Sequence, residues 1–180
     1  MRWLVVVLIG ALAAAAAGMV ATKASAPARP AAETNLGTYS GLPVPRFVSL
    51  KTDRVNVRGG PSRDHDVTWV FTRSHLPVEI VAEFETWRRI RDVDGQEGWV
   101  YHSLLSGRRT AMVAPWVSKE TVTLRADRSA EARIAARLEP GVLGNVRACR
   151  AGWCRISGQG FDGWVQQDRL WGVYPNESID

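Results

Sequence analysis

Among the side chains of this 180-residue sequence, aromatic rings standing beside charges are the ones best suited to hold a ligand. Trp99 and Tyr101, with Trp69, would line a shallow aromatic groove, and Arg58 and Glu97 would form its polar rim. His102, at the end of the same strand, is a further contact candidate, with a capping or turn role as the alternative. Aromatic platforms supplemented by a few hydrogen bonds recognise extended peptides and glycan strands. Packing is the competing use of these rings. Seven of the eight tryptophans follow residue 26, and a very small domain needs rings that bury roughly 150–250 Å² each to complete a marginal core. Because Trp87/Trp153 and Trp99/Trp164 recur in two copies, they suit a core or the seam between two domains.

Other chemistry is less well supplied. Cys149 and Cys154 flank Arg150-Ala151-Gly152-Trp153, the tip of an expected hairpin. Opposed strand residues bring Cβ atoms within roughly 4.5–5.5 Å, so a disulfide can close there with modest adjustment. Zinc would need two further ligands, and none is spaced for it; neither a metal nor a cofactor is expected. His65, His75 and His102 all fall in the first copy without a ligand spacing, and His65 reads as a solvated loop residue between Asp64 and Asp66. Gly59-Gly60-Pro61 lacks the Lys-Ser/Thr of a phosphate-binding loop. Glu79, Glu83 and Glu85 read as the wet face of one strand, not as a pair set across a cleft at the roughly 5–9.5 Å of a glycosidase. No catalytic residue is assigned, and a binding protein is expected in preference to an enzyme.

The elements that position these residues begin after an export segment. Arg2 precedes nineteen apolar or Gly residues, Trp3 to Ala21, and Ala24-Ser25-Ala26 closes the stretch with the small residues of a signal-peptidase site. Residues 1–26 are therefore read as a signal peptide or, since nineteen apolar residues can span a bilayer, as an N-terminal membrane anchor. The body would be periplasmic or secreted, or held at the inner membrane if the segment is retained, and contact with a membrane is expected through residues 1–26 alone. Export also places the two cysteines where disulfides persist. Beyond residue 26 there are 21 basic and 18 acidic side chains, interspersed, with ten against nine in 47–113 and nine against eight in 114–180. A nucleic-acid binder should carry a basic stripe, so none is expected as partner.

Residues 27–46, with Pro27, Pro30, Pro43 and Pro45 among Ala, Thr, Ser and Gly, read as a flexible linker. The remainder repeats. Val55-Asn56-Val57-Arg58 matches Val122-Thr123-Leu124-Arg125, Trp87-Arg88-Arg89-Ile90 matches Trp153-Cys154-Arg155-Ile156, and Gly95-Gln96-Glu97-Gly98-Trp99-Val100 matches Gly160-Phe161-Asp162-Gly163-Trp164-Val165. Leu104-Leu105 is aligned with Leu170-Trp171. Alternation of apolar and polar residues at Val55/Val57, Val122/Leu124 and Val78/Ile80/Ala82 predicts strands, and Asp94-Gly95 predicts a hairpin turn. One stretch with good helix formers stands out, Ala130 to Leu138, which tertiary context could turn into a loop.

The order Val-Asn-Val-Arg-x-Gly-Pro-Ser, Trp-x-x-Ile and Gly-x-x-Gly-Trp-Val resembles the bacterial SH3-like (SH3b) domain from Phe47 to about Tyr174. The second copy departs from the pattern at Ala126-Asp127-Arg128, where the first has Gly59-Gly60-Pro61. The resemblance implies partly open barrels of five or six strands and, for many relatives, binding of cell-wall material or peptides. The expected architecture is all-β: two tandem small SH3-like β-barrels, 47–113 and 114–180, behind an N-terminal apolar helix and a Pro/Ala-rich spacer. The expected function is noncovalent recognition of peptidoglycan or an envelope protein segment by the first barrel, which keeps Tyr101 where the second has Gln166. The alternatives are an envelope protein–protein scaffold without a wall ligand and an unrecognised cell-wall enzyme.

Overall fold

Val55 and Val57 are fully buried while Asn56 between them is exposed, the alternation that a strand with one wet face imposes. Val122 and Leu124 repeat it. In the computed structural model, which describes residues 35–180, this pattern builds an all-β molecule. Residues 1–26, expected to be a signal peptide or anchor, and the first part of the spacer lie outside the described residues. Among those described, no helix is long and apolar enough to cross a membrane.

A short antiparallel pair, β1 (Asn35–Leu36) and β2 (Pro43–Val44), leads into the first sheet. That sheet comprises β3 (Arg46–Leu50), β4 (Val55–Arg58), β5 (Val67–Phe71), β6 (Pro77–Phe84), β7 (Trp87–Arg91), β8 (Glu97–Tyr101) and β9 (Leu105–Ser106), ordered β5-β4-β8-β7-β6-β3-β9. The second comprises β10 (Thr110–Val113), β11 (Val122–Arg125), β12 (Ile134–Leu138), β13 (Leu143–Arg150), β14 (Trp153–Gly158), β15 (Phe161–Gln166) and β16 (Leu170–Trp171), ordered β12-β11-β15-β14-β13-β10-β16. Strand for strand the two orders are the same. Both sheets also carry irregularities at equivalent places, after Val57 and Leu124 and between Ile80/Ala82 and Val146/Ala148. Each curls around its own core, Leu50, Val55, Val57, Ile80, Ile90 and Val100 in one, Val113, Leu124, Ile156 and Val165 with the two cysteines in the other.

The second glycine of the Gly-x-x-Gly-Trp motif closes each barrel. A Cβ on Gly98 would collide with Val57, and one on Gly163 would stand 3.0 Å from both the Arg125 carbonyl and the Leu124 Cβ. Here β8 and β15 meet β4 and β11 through the single pairs Arg58↔Trp99 and Arg125↔Trp164, a crossing too close for any side chain.

Several expectations need correcting. Ala130–Leu138 is no helix: Ile134–Leu138 pairs with β11 as an edge strand, because bonds to that neighbour override the helix propensity of Ala, Arg and Leu. Thr110–Val113, read as the end of the first barrel, is β10 of the second sheet. Each barrel has seven strands when the two-residue β9 and β16 are included. Leu105, not Leu104, is the counterpart of Leu170, since Leu50↔Leu105 and Val113↔Leu170 are the matching pairs. The hairpin tip at the cysteines is two residues long, Ala151-Gly152, for Arg150 pairs with Trp153.

The largest correction concerns the supposed wet face. Glu79 and Glu83 have side chains only 4% and 2% exposed. From Asn35 on, the spacer folds into the β1–β2 hairpin over Glu83, whose carboxylate accepts from the Tyr39 and Ser40 N–H groups, the Ser40 hydroxyl and Arg46, with Arg88 alongside at 3.3 Å. Glu79 is covered from the second barrel, where the Tyr174 hydroxyl donates to it at 3.0 Å. Glu85 alone of the three stays exposed, at the tip between β6 and β7.

Candidate functional site

On β7 and β8 the side chains that leave the core stand in cross-strand pairs: Trp87 opposite Tyr101, Arg89 opposite Trp99, Arg91 opposite Glu97. Where this outer face meets β4 and the loop after it lies a hollow of about 300 Å³. Trp87 and Tyr101 form its aromatic side, meeting edge to face with ring centroids 5.6 Å apart. The guanidinium of Arg63 stands 6.0 Å from the Tyr101 ring centroid, within cation–π range. Asn56 and Arg58 come from β4, and Ser103 and Leu104 from the single 3₁₀ turn His102–Leu104 that follows β8. That turn is latched to the β6–β7 tip by a bond from the His102 N–H to the Thr86 carbonyl.

The residues read from sequence are divided by this geometry. Tyr101 and Arg58 line the hollow. Arg58 is also a staple, donating at 2.7 Å to the His65 carbonyl and so fixing the loop that carries Arg63. His102 is exposed with its ring against Tyr101, centroids 5.0 Å apart, beside the hollow. Trp99 is half-buried one pair further along the same face. Glu97 is no free rim acceptor, because Arg89 and Arg91 hold it at 2.9 and 2.6 Å. Trp69 packs on the core edge to face with Phe71, with Nε1 buried and unpaired. Trp87, read as core or as the seam between domains, is buried at 8% exposure, and only its edge reaches the hollow, because its strand puts it in phase with Arg89 and Arg91. Arg63, Asn56, Ser103 and Leu104 were missed, being ordinary polar or apolar residues until the fold gathers them.

Beside the hollow, the Ser62 hydroxyl lies 2.9 Å from His65 Nδ1 and 3.5 Å from Asp64. A nucleophile relay needs the carboxylate behind the imidazole, orienting it; here the carboxylate touches the hydroxyl, and the group is a loop brace. The His65 ring lies over Gly60, where a Cβ would strike it. The second copy has Asp127 and Ala132 at these two places, so the loss of the glycine accompanies the loss of the ring it accommodates.

The second barrel has a hollow of about 250 Å³ at the equivalent place. Trp153 and Arg125 line it as Trp87 and Arg58 line the first, and Arg125 likewise staples its loop, to the Ala132 carbonyl at 3.0 Å. The remaining wall differs: Gln166 stands for Tyr101, Ala130 for Arg63 and Arg169 for Leu104, and Glu120 adds an acid. Among the described residues no group of three His, Cys, Asp or Glu side chains could hold a metal ion. The disulfide between Cys149 and Cys154 is formed.

Comparison with known proteins bears on both barrels. A family model described as bacterial SH3 domain matches residues 51–107 and again 118–172. A Bacillus subtilis (strain 168) protein named as a candidate N-acetylmuramoyl-L-alanine amidase, YrvJ, is 25% identical over 126 residues, 66% of this chain but 24% of that protein. The chain thus spans about a quarter of that relative's length. Structures of NlpC1 and NlpC2 from Trichomonas vaginalis align with TM-scores of 0.32, at 14% and 13% identity, over 75% and 71% of this chain and 48% of each of theirs.

Proposed function

The chain belongs to the bacterial SH3 domain family in both of its repeats, and from that membership we propose that it is an exported, non-catalytic binding module whose first barrel holds a short piece of cell-wall peptide. The observation that carries the reading is the hollow of about 300 Å³ with Trp87 and Tyr101 on one side and Arg63 beside the Tyr101 ring. The half-buried Tyr101 ring and the exposed edge of the otherwise buried Trp87 offer apolar surface to an alkyl side chain, and the arginine a partner for a carboxylate. The volume lies at the small end of the roughly 300–1,000 Å³ of ligand sites, which suits a few atoms of a polymer better than a whole cofactor. A relative named for cleavage at N-acetylmuramoyl-L-alanine, matched over a quarter of its length, supports a cell-wall target. The sequence of residues 1–26 and the disulfide support export to an oxidising compartment.

The test is co-sedimentation with purified sacculi. Tyr101→Gln installs the residue that the second barrel carries at this place, so the fold should tolerate it. Loss of most sedimentation, at unchanged melting temperature, is the expected result. Equal sedimentation of wild type and variant removes the first hollow from the account. A second reading, an envelope scaffold, is favoured by the exposed apolar side chains of Leu36, Tyr39, Leu42 and Phe84 around the N-terminal hairpin. Stoichiometric recovery of one envelope protein, with no sacculus binding, would decide for it.

A further inference from the structure

We propose that the hollow of the second barrel is a separate binding site, for a small molecule that carries a free ammonium and a carboxylate together, such as a dipeptide with both ends unblocked. It has the same framework as the first, with Trp153 at its side and Arg125 stapling the loop. What changed between the copies is charge. Arg169 stands where the first barrel has the apolar Leu104, and Glu120 borders the same space. Among the described residues neither Glu120 nor the Arg169 side chain has an ion-pair or hydrogen-bond partner, whereas Glu97, Glu79 and Glu83 in the first barrel are all engaged by arginines.

Two opposite charges left open on one hollow are complementary to a ligand that brings the reverse pair. Glu120 would meet the ammonium, Arg169 with Arg125 the carboxylate, and the Gln166 amide can donate to or accept from a peptide bond. The space of about 250 Å³ limits the ligand to a short backbone. Loss of Tyr101 and Arg63 from this copy therefore marks a change of ligand class. The site rests on residues that take no part in the first hollow.

Unblocked Ala-Ala, titrated into the full chain and followed by amide NMR shifts, tests this directly. Resonances around β11, β15 and Arg169 should move while those of the first barrel do not. Acetylating the amine or amidating the carboxylate should each weaken binding about tenfold, and Glu120→Gln and Arg169→Leu should do the same to the unblocked dipeptide. Arg169→Leu restores the residue type of the first barrel, so folding is not at stake. Tighter binding of the D,D than of the L,L dipeptide would assign the ligand to short peptides of cell-wall origin with both ends free, and the reverse order to short peptides of protein origin; either supports the site. No shift at about 10 mM dipeptide, or equal binding of the blocked forms, overturns it. Sacculus binding through Tyr101 is read separately, since Arg169→Leu leaves the first hollow intact.

Discussion

Glu83 shows how much the behaviour of a carboxylate depends on what covers it. Burial alone would raise its pKa, but hydrogen bonds from Ser40 and Arg46 and the positive charge of Arg88 outweigh that and hold it below the ordinary value. A native pKa below the unfolded one means that the ion contributes stability above the ordinary carboxylate range, and that this contribution is lost as pH falls through the lowered value. Asp92 behaves oppositely: burial pushes its carboxyl up, and the N–H groups of Gln96, Asp94 and Gly95 offset this only in part. Its native state takes up a proton more readily than the unfolded chain, so it favours folding as pH drops. Acid titration of the wild type thus sums two opposed effects, and a variant must separate them. Glu83→Gln should cost about 2–4 kcal/mol at neutral pH, because it leaves Arg46 and Arg88 facing a neutral group in a dry place. That cost should be smaller at an acidic pH low enough to discharge the wild-type carboxylate than at neutral pH. Urea denaturation at both values checks it; an equal cost at both would mean that the charge on Glu83 contributes nothing.

At the scale of the element, the β13–β14 hairpin explains why two cysteines five residues apart can bond. Cys149 exchanges both of its backbone hydrogen bonds with Ile179 of the C-terminal tail, so toward β14 it forms a non-hydrogen-bonded pair with Cys154. Side chains stand closest at such pairs, and the Cα atoms are 4.1 Å apart. By loop entropy the bridge contributes about 2 kcal/mol. Reduction, or Cys149→Ser with Cys154→Ser, should lower stability by that amount, and thermal melting with and without reductant reads it; a change under about 0.5 kcal/mol would mean that the tail alone closes the hairpin. The cysteine pair was legible because hairpin geometry is local. The two-residue tip was not, since Ala151 takes a left-handed φ of 51° that sequence patterns reserve for Gly or Asn. Likewise β12 was illegible, because only the edge of β11 decides between strand and helix for Ile134–Leu138. Of the seven residues that line the first hollow, two were legible as binding residues. Tyr101 and Arg58 announced themselves by type, and the recurrence of Trp87 rightly pointed to burial without showing the edge it gives to the hollow, whereas Arg63 was hidden by a loop that a staple from Arg58 holds in place.

At the scale of the molecule, Phe47 belongs to the core of neither barrel yet is only 4% exposed. It is buried by the other barrel: Trp171 meets it edge to face at 5.2 Å and Tyr174 lies at 4.8 Å. Polar bonds ring this contact. Trp171 Nε1 donates to the Pro77 carbonyl at 3.0 Å, Thr110 Oγ1 to the His75 carbonyl at 2.8 Å, and Tyr174 to the buried Glu79. Gly172 is required in the same place, for a Cβ there would approach Pro77 to 3.0 Å and strike the Thr110 carbonyl. An apolar centre with satisfied polar groups around it is how a fixed interface is built, whereas domains joined only by a linker move freely. The two hollows are therefore held at one spacing, and a ligand that reaches both gains from the second contact without the entropy of bringing two loose domains together. Removing the central ring tests the coupling. Wild type should melt in a single transition whose calorimetric and van 't Hoff enthalpies agree, as one cooperative unit does. Phe47→Ala should forfeit about 3–5 kcal/mol of packing and separate the melt into two transitions, one for each barrel. The first barrel should fall first, because Glu79 on β6 then loses the cover that Tyr174 gives it. A single transition in the variant, with agreeing enthalpies, would mean that the barrels are joined by something other than this aromatic contact.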